Sequence, residues 1–181
     1  HPHKKGTISE ISPHLERKKI SPVELTNFVL DKTKKLNPLL NAYVTVTEEL
    51  ALADAKAAER EIQEGRYRGP LHGMPFSIKD NIATQGVKTT AGSKILSEWV
   101  PDYNATVVDK LRQAGAGIIG KTNMHEWASG GTTINPYYGT TLNPWDTTRI
   151  PGGTSGGSAA AVAAGLCLTS IGTDNAGSVR N

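Results

Sequence analysis

Two glycine-rich segments in the last third of the chain present hydroxyl groups beside backbone N–H groups. Residues 151–158 read PGGTSGGS and lead into a small-residue helix, and residues 172–180 read GTDNAGSVR. A helix N-terminus leaves N–H groups unpaired and favours negative charge. Small residues before Ser178 let its hydroxyl and nearby N–H groups face one cavity, as a nucleophile beside an oxyanion site requires. The alternatives are a tight turn and a phosphate cradle, although the Gly-Lys-Ser/Thr ending of a P-loop is missing.

A serine hydroxyl needs a base, and Lys79 is the candidate that stands out. It follows an apolar run, residues 74–78, and precedes Asp80. Burial at the end of such a strand lowers the pKa of a lysine toward the range in which neutral amine accepts a proton at pH 7. The alternative is an ordinary strand-end lysine paired with Asp80. His125 is the only histidine close in sequence to the glycine-rich segments, and no histidine is well placed to serve as the base.

Hydrophobic periodicity and turn residues predict an α/β chain. The expected helices are residues 22–36, 48–63, 105–114, 123–129 and 155–164, and the expected strands are 74–80, 117–121 and 167–173. Ser21 and Glu24 form a capping-box pattern, Thr47 is expected to cap the second helix, and Asn37-Pro38 is expected to end the first. Strand, helix and strand over 74–121 predict a parallel βαβ unit. We expect residues 1–70 to be a helical wrap on an α/β core over 71–181, within one domain.

Composition argues against several classes of protein. The 181 residues suffice for one domain with a core. A net charge of +3, with basic clusters at 1–5, 17–19 and 32–35 and no aromatic residues among them, argues against a nucleic-acid surface. The single cysteine, Cys167, excludes an internal disulfide or a zinc cluster, and we expect it to be a buried, inert thiol. The absence of a membrane-length apolar run or a secretory signal favours a cytoplasmic location.

Five segments, in register, resemble the amidase signature family over residues 20–181. They read SIKDN at 77–81, AGAGIIGKTN at 114–123, NPWD at 143–146, PGGTSGGSAAAVAAG at 151–165 and GTDNAGSVR at 172–180. The resemblance implies an α/β fold with a mixed β-sheet core flanked by helices, of which this chain is the N-terminal part, incomplete at its C-terminus. It also implies hydrolysis of an amide C–N bond through an acyl-enzyme, with no cofactor and no metal.

The resemblance also assigns roles to individual residues. Ser178 matches the nucleophile and Lys79 the base. The bridging residue, a serine with a cis peptide bond in the family, falls at Thr154, and Ser155 is the second hydroxyl of that pair. The backbone positions that match the oxyanion and substrate-binding site are Gly153, Asn175, Ala176 and Gly177. Two departures follow: Thr154 carries an extra methyl group that stiffens χ1, and residues 175–176 replace the usual Thr-Gly.

Three classes of function stay open. The first is a free-standing amidase acting on a small-molecule amide. The second is the A subunit of a glutamine-dependent tRNA amidotransferase, which releases ammonia from glutamine for a partner subunit. Residues 123–132 (NMHEWASGGT) favour the first. The third is an inactive fragment or pseudo-enzyme serving as a binding module, because family members are more than twice as long. We expect the 181-residue chain alone to be inactive and to aggregate or to pair with a copy of itself or a partner, without direct contact to nucleic acid or membrane.

Overall fold

Helices cover both faces of a four-stranded sheet in residues 6–180, the part of the chain that this computed structural model describes. The helices are α1 (Ile8–Glu16), α2 (Pro22–Leu40), α3 (Glu48–Gln63), α4 (Thr106–Gln113) and α5 (Gly156–Ala164). The strands are β1 (Tyr43–Val46), β2 (Pro75–Lys79), β3 (Gly117–Thr122) and β4 (Thr169–Ile171). The basic cluster at 1–5 lies outside the described residues.

The sheet is mixed, with strand order β1-β3-β2-β4. Strand β2 runs parallel to β3 and β4, whereas β1 is antiparallel to β3. The α/β fold class and the parallel β2-α4-β3 unit predicted from sequence are therefore confirmed. Lys79 is the last residue of β2 and pairs with Thr122, the last residue of β3. In parallel sheets, functional side chains gather at this carboxyl edge.

Two apolar clusters hold the helices against the sheet. One joins α2 and α5 to β3, with Val29, Ala160 and Ile119 in its interior. The other joins α4 to β2 and β3 through Val108, Ile78 and neighbouring side chains. Alanine and glycine dominate α5, so this helix approaches the strands closely. A Cβ at Gly157 would lie 2.5 Å from the backbone nitrogen of Asn123, which shows why glycine is needed there.

The capping box that begins α2 is confirmed, but the predicted end of this helix is wrong. Ser21 accepts hydrogen bonds from the N–H groups of the first turn, and Glu24 completes the box. The helix runs through Pro38 to Leu40 instead of ending at residue 36. Pro38 lacks an N–H and so removes one i→i−4 hydrogen bond, and the helix closes shortly after it, at Asn41 in a left-handed conformation.

Several other local predictions differ from the structure. Thr47 precedes α3 without capping it, because its hydroxyl donates to the carbonyl of Ile118 at 2.9 Å. Residues 123–129 form only a 3-10 turn at Glu126–Ala128, since Trp127 adopts a positive φ of 54°. Strand β4 is shorter than predicted, and α1 and β1 were not expected from the sequence. Of residues 1–70, the described part, 6–70, thus contributes a sheet strand as well as three helices.

Membrane-spanning helices and metal-ligand clusters are both absent from residues 6–180. Every helix in this span is too short or too polar to cross a bilayer. Within the same residues, His, Cys, Asp and Glu side chains form no group of three that could hold a metal ion.

Candidate active site

Lys79 ends β2 with its side chain fully buried against the two glycine-rich segments. Its Nζ lies 2.7 Å from the hydroxyl oxygens of Thr154 and Thr173 and 3.3 Å from that of Ser178. Burial lowers the pKa of Lys79 to about 8, and the Asp174 carboxylate offsets part of that shift. The ammonium form has three N–H donors, one for each of these oxygens, and loss of its proton leaves a lone pair that can act as a base.

The hydroxyls of Thr154 and Ser178 are hydrogen-bonded to each other, so Lys79, Thr154 and Ser178 form one connected group. Thr154 is buried and Ser178 is half-buried. Gly153 permits this contact, because a Cβ there would lie 3.0 Å from the carbonyl carbon of Ser178. The structure therefore brings together the residues that were singled out from the sequence as nucleophile, bridge and base.

Ser155 joins the same group. Its Oγ lies 2.7 Å from Ser178 Oγ and donates to the carbonyl of Thr173 at 3.0 Å. This hydroxyl precedes α5 but makes no capping hydrogen bond to the helix. Four hydroxyl oxygens, those of Thr154, Ser155, Thr173 and Ser178, thus meet one amine at the carboxyl end of β2.

The Asp174 carboxylate accepts hydrogen bonds from several groups of the segment around Ser178. This side chain accepts from the N–H of Gly177 at 2.7 Å and pairs with the Arg180 guanidinium at 2.9 and 3.0 Å. These hydrogen bonds, that to Arg180 first, hold the pKa of Asp174 well below its usual range. Arg180 is therefore engaged within its own loop.

The backbone positions predicted for oxyanion binding differ in their surroundings. The N–H of Gly153 donates to the carbonyl of Gly131 at 2.8 Å, and that of Gly177 is held by Asp174. Asn175 and Ala176 are exposed in the loop that leads to Ser178. The oxyanion role of this loop remains a prediction, with Asn175 and Ala176 as the positions whose N–H groups are available.

The cis peptide bond that the resemblance implies at the bridging residue is absent from the described residues. All peptide bonds within 6–180 are trans, including those on both sides of Thr154. The turn is made by Gly152 and Gly153, whose φ angles of 80° and 69° lie in the left-handed region that glycine adopts without strain.

Thr173 is a contact of Lys79 that was not predicted from the sequence. Its hydroxyl lies as close to Nζ as that of Thr154, and the Asn81 side-chain amide also donates to it, at 3.4 Å. The available signal was its place in GTDNAGS, between β4 and Ser178. Spacing alone could not show that this threonine faces the lysine.

Two further buried groups lie near the same strands. Lys121 pairs with Ile78 across β2 and β3, so its side chain faces away from Lys79, and burial lowers its pKa to about 8. It donates to the carbonyl of Ile82 at 2.7 Å and lies 3.8 Å from Asp80. Cys167 is buried, as expected from the sequence, and burial raises its pKa to about 11, so its inertness stays a prediction.

Comparison with known proteins places the chain in a family. A sequence model of the amidase family matches residues 24–181. The chain belongs to this family. Among its relatives, the A subunit of the glutamyl-tRNA(Gln) amidotransferase of Carboxydothermus hydrogenoformans is 48% identical over 96% of the chain, which spans 36% of that protein. The corresponding protein of Dehalococcoides mccartyi is 49% identical over 97% of the chain, again 36% of its length.

A solved amidase has the same fold over nearly the whole chain. The native peptide amidase of Stenotrophomonas maltophilia matches with a TM-score of 0.91 and 36% identity, covering 98% of this chain and 38% of that one. The chain thus spans little more than a third of the length of these relatives. The family resemblance inferred from five motifs is confirmed.

Proposed function

We propose that this amidase-family protein hydrolyses a carboxylic amide C–N bond, with Ser178 as nucleophile, Thr154 as bridge and Lys79 as base. The observation that carries the proposal is the connected contact of Lys79 Nζ, Thr154 Oγ1 and Ser178 Oγ around a buried lysine of lowered pKa. A lysine acts as a base only when it is neutral, and burial raises the neutral fraction at pH 7 by lowering the pKa.

In the proposed reaction, Ser178 passes its proton to Thr154 as Thr154 passes its own to neutral Lys79. Ser178 Oγ bonds to the amide carbonyl carbon, and the negative charge on the former carbonyl oxygen is stabilised by N–H groups of residues 175–176. The C–N bond then breaks, and the amine leaves with the proton returned from Lys79 through Thr154. Water repeats the sequence on the acyl ester, which releases the acid and restores the Ser178 hydroxyl.

The same proposal assigns a role to the extra methyl group of Thr154. A β-branched side chain has few χ1 rotamers, so a threonine hydroxyl is more fixed than that of serine. The Thr154 hydroxyl has to accept from Ser178 and donate to Lys79 at once, and a fixed rotamer suits this double contact. We expect Thr154→Ser to retain activity and Thr154→Val to lose it.

Identity to known relatives favours a second candidate for the substrate. The A subunits of glutamyl-tRNA(Gln) amidotransferases are 48–49% identical to the chain, whereas the peptide amidase is 36% identical. In this candidate the amide is that of glutamine, the nitrogen is released as ammonia, and other subunits are required partners. For either candidate, we propose that residues 1–181 are the N-terminal part of a single amidase domain.

The test uses the full-length protein and a panel of primary amides that includes glutamine and a C-terminally amidated peptide. We expect ammonia release that Ser178→Ala and Lys79→Ala abolish, with Thr147→Val, an exposed threonine, as the control. Undiminished release by the Ser178→Ala variant would refute the proposal. Glutamine-specific release that rises on adding amidotransferase partner subunits identifies the second candidate, and partner-independent release from other amides identifies the first.

A further inference from the structure

We propose that Thr133 is a positioning residue for the Lys79–Thr154–Ser178 relay. Its hydroxyl contacts the backbone on both sides of residues 154 and 155, at the carbonyl of Gly153 and at the first N–H of α5. This inference rests on the proposed function, because the relay is what Thr133 positions.

The Thr133 hydroxyl contacts the residues on each side of the reactive pair. It donates to the carbonyl of Gly153 at 2.7 Å and accepts from the N–H of Gly156 at 2.9 Å. Thr154 and Ser155 lie between these two contacts. Since the Thr133 side chain is fully buried, no water replaces either hydrogen bond if the hydroxyl is removed.

The contact to Gly156 satisfies the first N–H of a helix that has no side-chain cap. A serine immediately before a helix ordinarily accepts a hydrogen bond from an N–H of the first turn. Ser155 makes no such bond, because its hydroxyl is used by Thr173 and Ser178 in the candidate site. The N–H of Gly156 is bonded instead to the Thr133 hydroxyl, and that of Gly157 to the carbonyl of Asn123 at 3.1 Å, so both groups have partners without the Ser155 hydroxyl.

The backbone of Thr133 adopts a conformation that threonine rarely takes, so surrounding contacts must hold it there. Its φ is 53°, a left-handed conformation that is rare for a β-branched residue and persists where surrounding contacts determine it. Gly156 accommodates the approach, because a Cβ there would lie 2.5 Å from Thr133 Oγ1 and 2.8 Å from Thr133 Cβ. A strained threonine and a glycine without a side chain thus meet at one hydroxyl.

Proton transfer depends on this placement. The relay hydroxyl of Thr154 must stay within hydrogen-bond distance of both Lys79 and Ser178, and small displacements of reacting groups cost large factors in rate. Without the Thr133 hydroxyl, the carbonyl of Gly153 and the N–H of Gly156 lose their partners. The segment between them keeps the bonds from the N–H of His125 to the carbonyl of Thr154 and from the N–H of Gly153 to Gly131, and is held less firmly relative to Lys79.

The experiment compares Thr133→Val, which keeps the shape and removes the hydroxyl, with Thr133→Ser, which keeps the hydroxyl. Exposed Thr147, in the same loop, provides Thr147→Val as the matched control. Two measurements are made on the full-length protein: the kinetics of Ser178 labelling by a fluorophosphonate probe, and hydrogen exchange of the Gly156 amide. Folding of each variant is checked by circular dichroism.

We expect Thr133→Val to lower the maximal labelling rate about 10- to 100-fold with the probe affinity unchanged, and to speed Gly156 exchange about tenfold or more. Thr133→Ser and Thr147→Val stay near the native values. If Thr133→Val does not fold, Thr133→Cys, whose S–H is a weak donor, is expected to give an intermediate loss.

The two measurements separate failure of this inference from failure of the proposed function. A native protein whose Ser178 is not labelled refutes the proposed function, and because the relay role rests on that function, it refutes the role of Thr133 as well. Unchanged Gly156 exchange in Thr133→Val overturns the contact itself. Faster exchange with an unchanged labelling rate shows a purely structural threonine and also overturns the inference.

Discussion

The pH dependence of Ser178 reactivity tests the central requirement of the proposed mechanism, a neutral Lys79. With a pKa of about 8, roughly one lysine in eleven is neutral at pH 7 and about one in a hundred at pH 6. The rate of fluorophosphonate labelling is therefore expected to rise about tenfold from pH 6 to 7 and about fivefold from pH 7 to 8. Above pH 9 it becomes constant, because the amine is then almost wholly neutral.

The assay needs a control because a second buried lysine shares this pKa. Lys121 also titrates near 8 but faces the opposite side of the sheet. Its removal alone would leave Asp80 as an unpaired buried charge, so the control is Lys121→Met combined with Asp80→Asn, which neutralises the pair. The labelling rate is measured from pH 5.5 to 10 for the native protein, this double variant and Lys79→Met.

We expect the labelling rate of the double variant to rise with pH as in the native protein. In Lys79→Met, both this rise and most of the labelling are expected to be lost. A rate that is constant between pH 6 and 9 would show that no group with this pKa activates Ser178. A limb that persists in Lys79→Met but vanishes in the double variant would assign the titration to Lys121. Either result refutes the role of Lys79 as the base.

Three further predictions concern stability and reactivity in residues 6–180. Lys79→Met is expected to raise the free energy of unfolding at pH 7 by about 1–3 kcal/mol, because it removes a desolvated ammonium. Since the pKa of Lys79 is lower in the folded state, this gain shrinks as pH rises from 8 to 10.5. A gain that does not change with pH in urea titrations would contradict the reasoning. Gly157→Ala is expected to lower the free energy of unfolding by about 3 kcal/mol, since its Cβ would lie 2.5 Å from the backbone nitrogen of Asn123. As a control, Gly131→Ala, which has open space around it, is expected to change the free energy of unfolding by less than about 0.5 kcal/mol. Cys167 is expected to resist a thiol reagent at pH 8 until the protein unfolds, because its pKa is about 11, and rapid labelling of the native state would contradict its burial.

Short-range signals in the sequence were sufficient for much of the fold. The Ser21–Glu24 capping box marks the start of α2, and the apolar run before Lys79 marks β2. The same reasoning could have found α1, because Thr7 and Glu10 form a capping box that begins it. Strand β1 has no comparable signal: its four residues depend on pairing with β3, which lies more than seventy residues further along the chain.

The candidate site was predictable only as far as its motifs extend. Lys79, Thr154 and Ser178 stand in recognisable segments, and the structure brings their side chains together. Thr133 and Thr173 could not be found in this way, because each acts through contacts with residues distant in sequence. The left-handed φ of Thr133 runs against its intrinsic preference, so local propensity predicts a different conformation.

The parallel pairing of β4 with β2 has a consequence for how the chain acquires its chemistry. Lys79 and Ser178 are 99 residues apart, and the strand pairs that unite them require a long loop to close. Contacts of such separation form slowly compared with helices. Under the proposed mechanism, Ser178 therefore stays an unactivated hydroxyl during synthesis until the last of these strands has docked, and the appearance of its reactivity would mark completed assembly of the sheet.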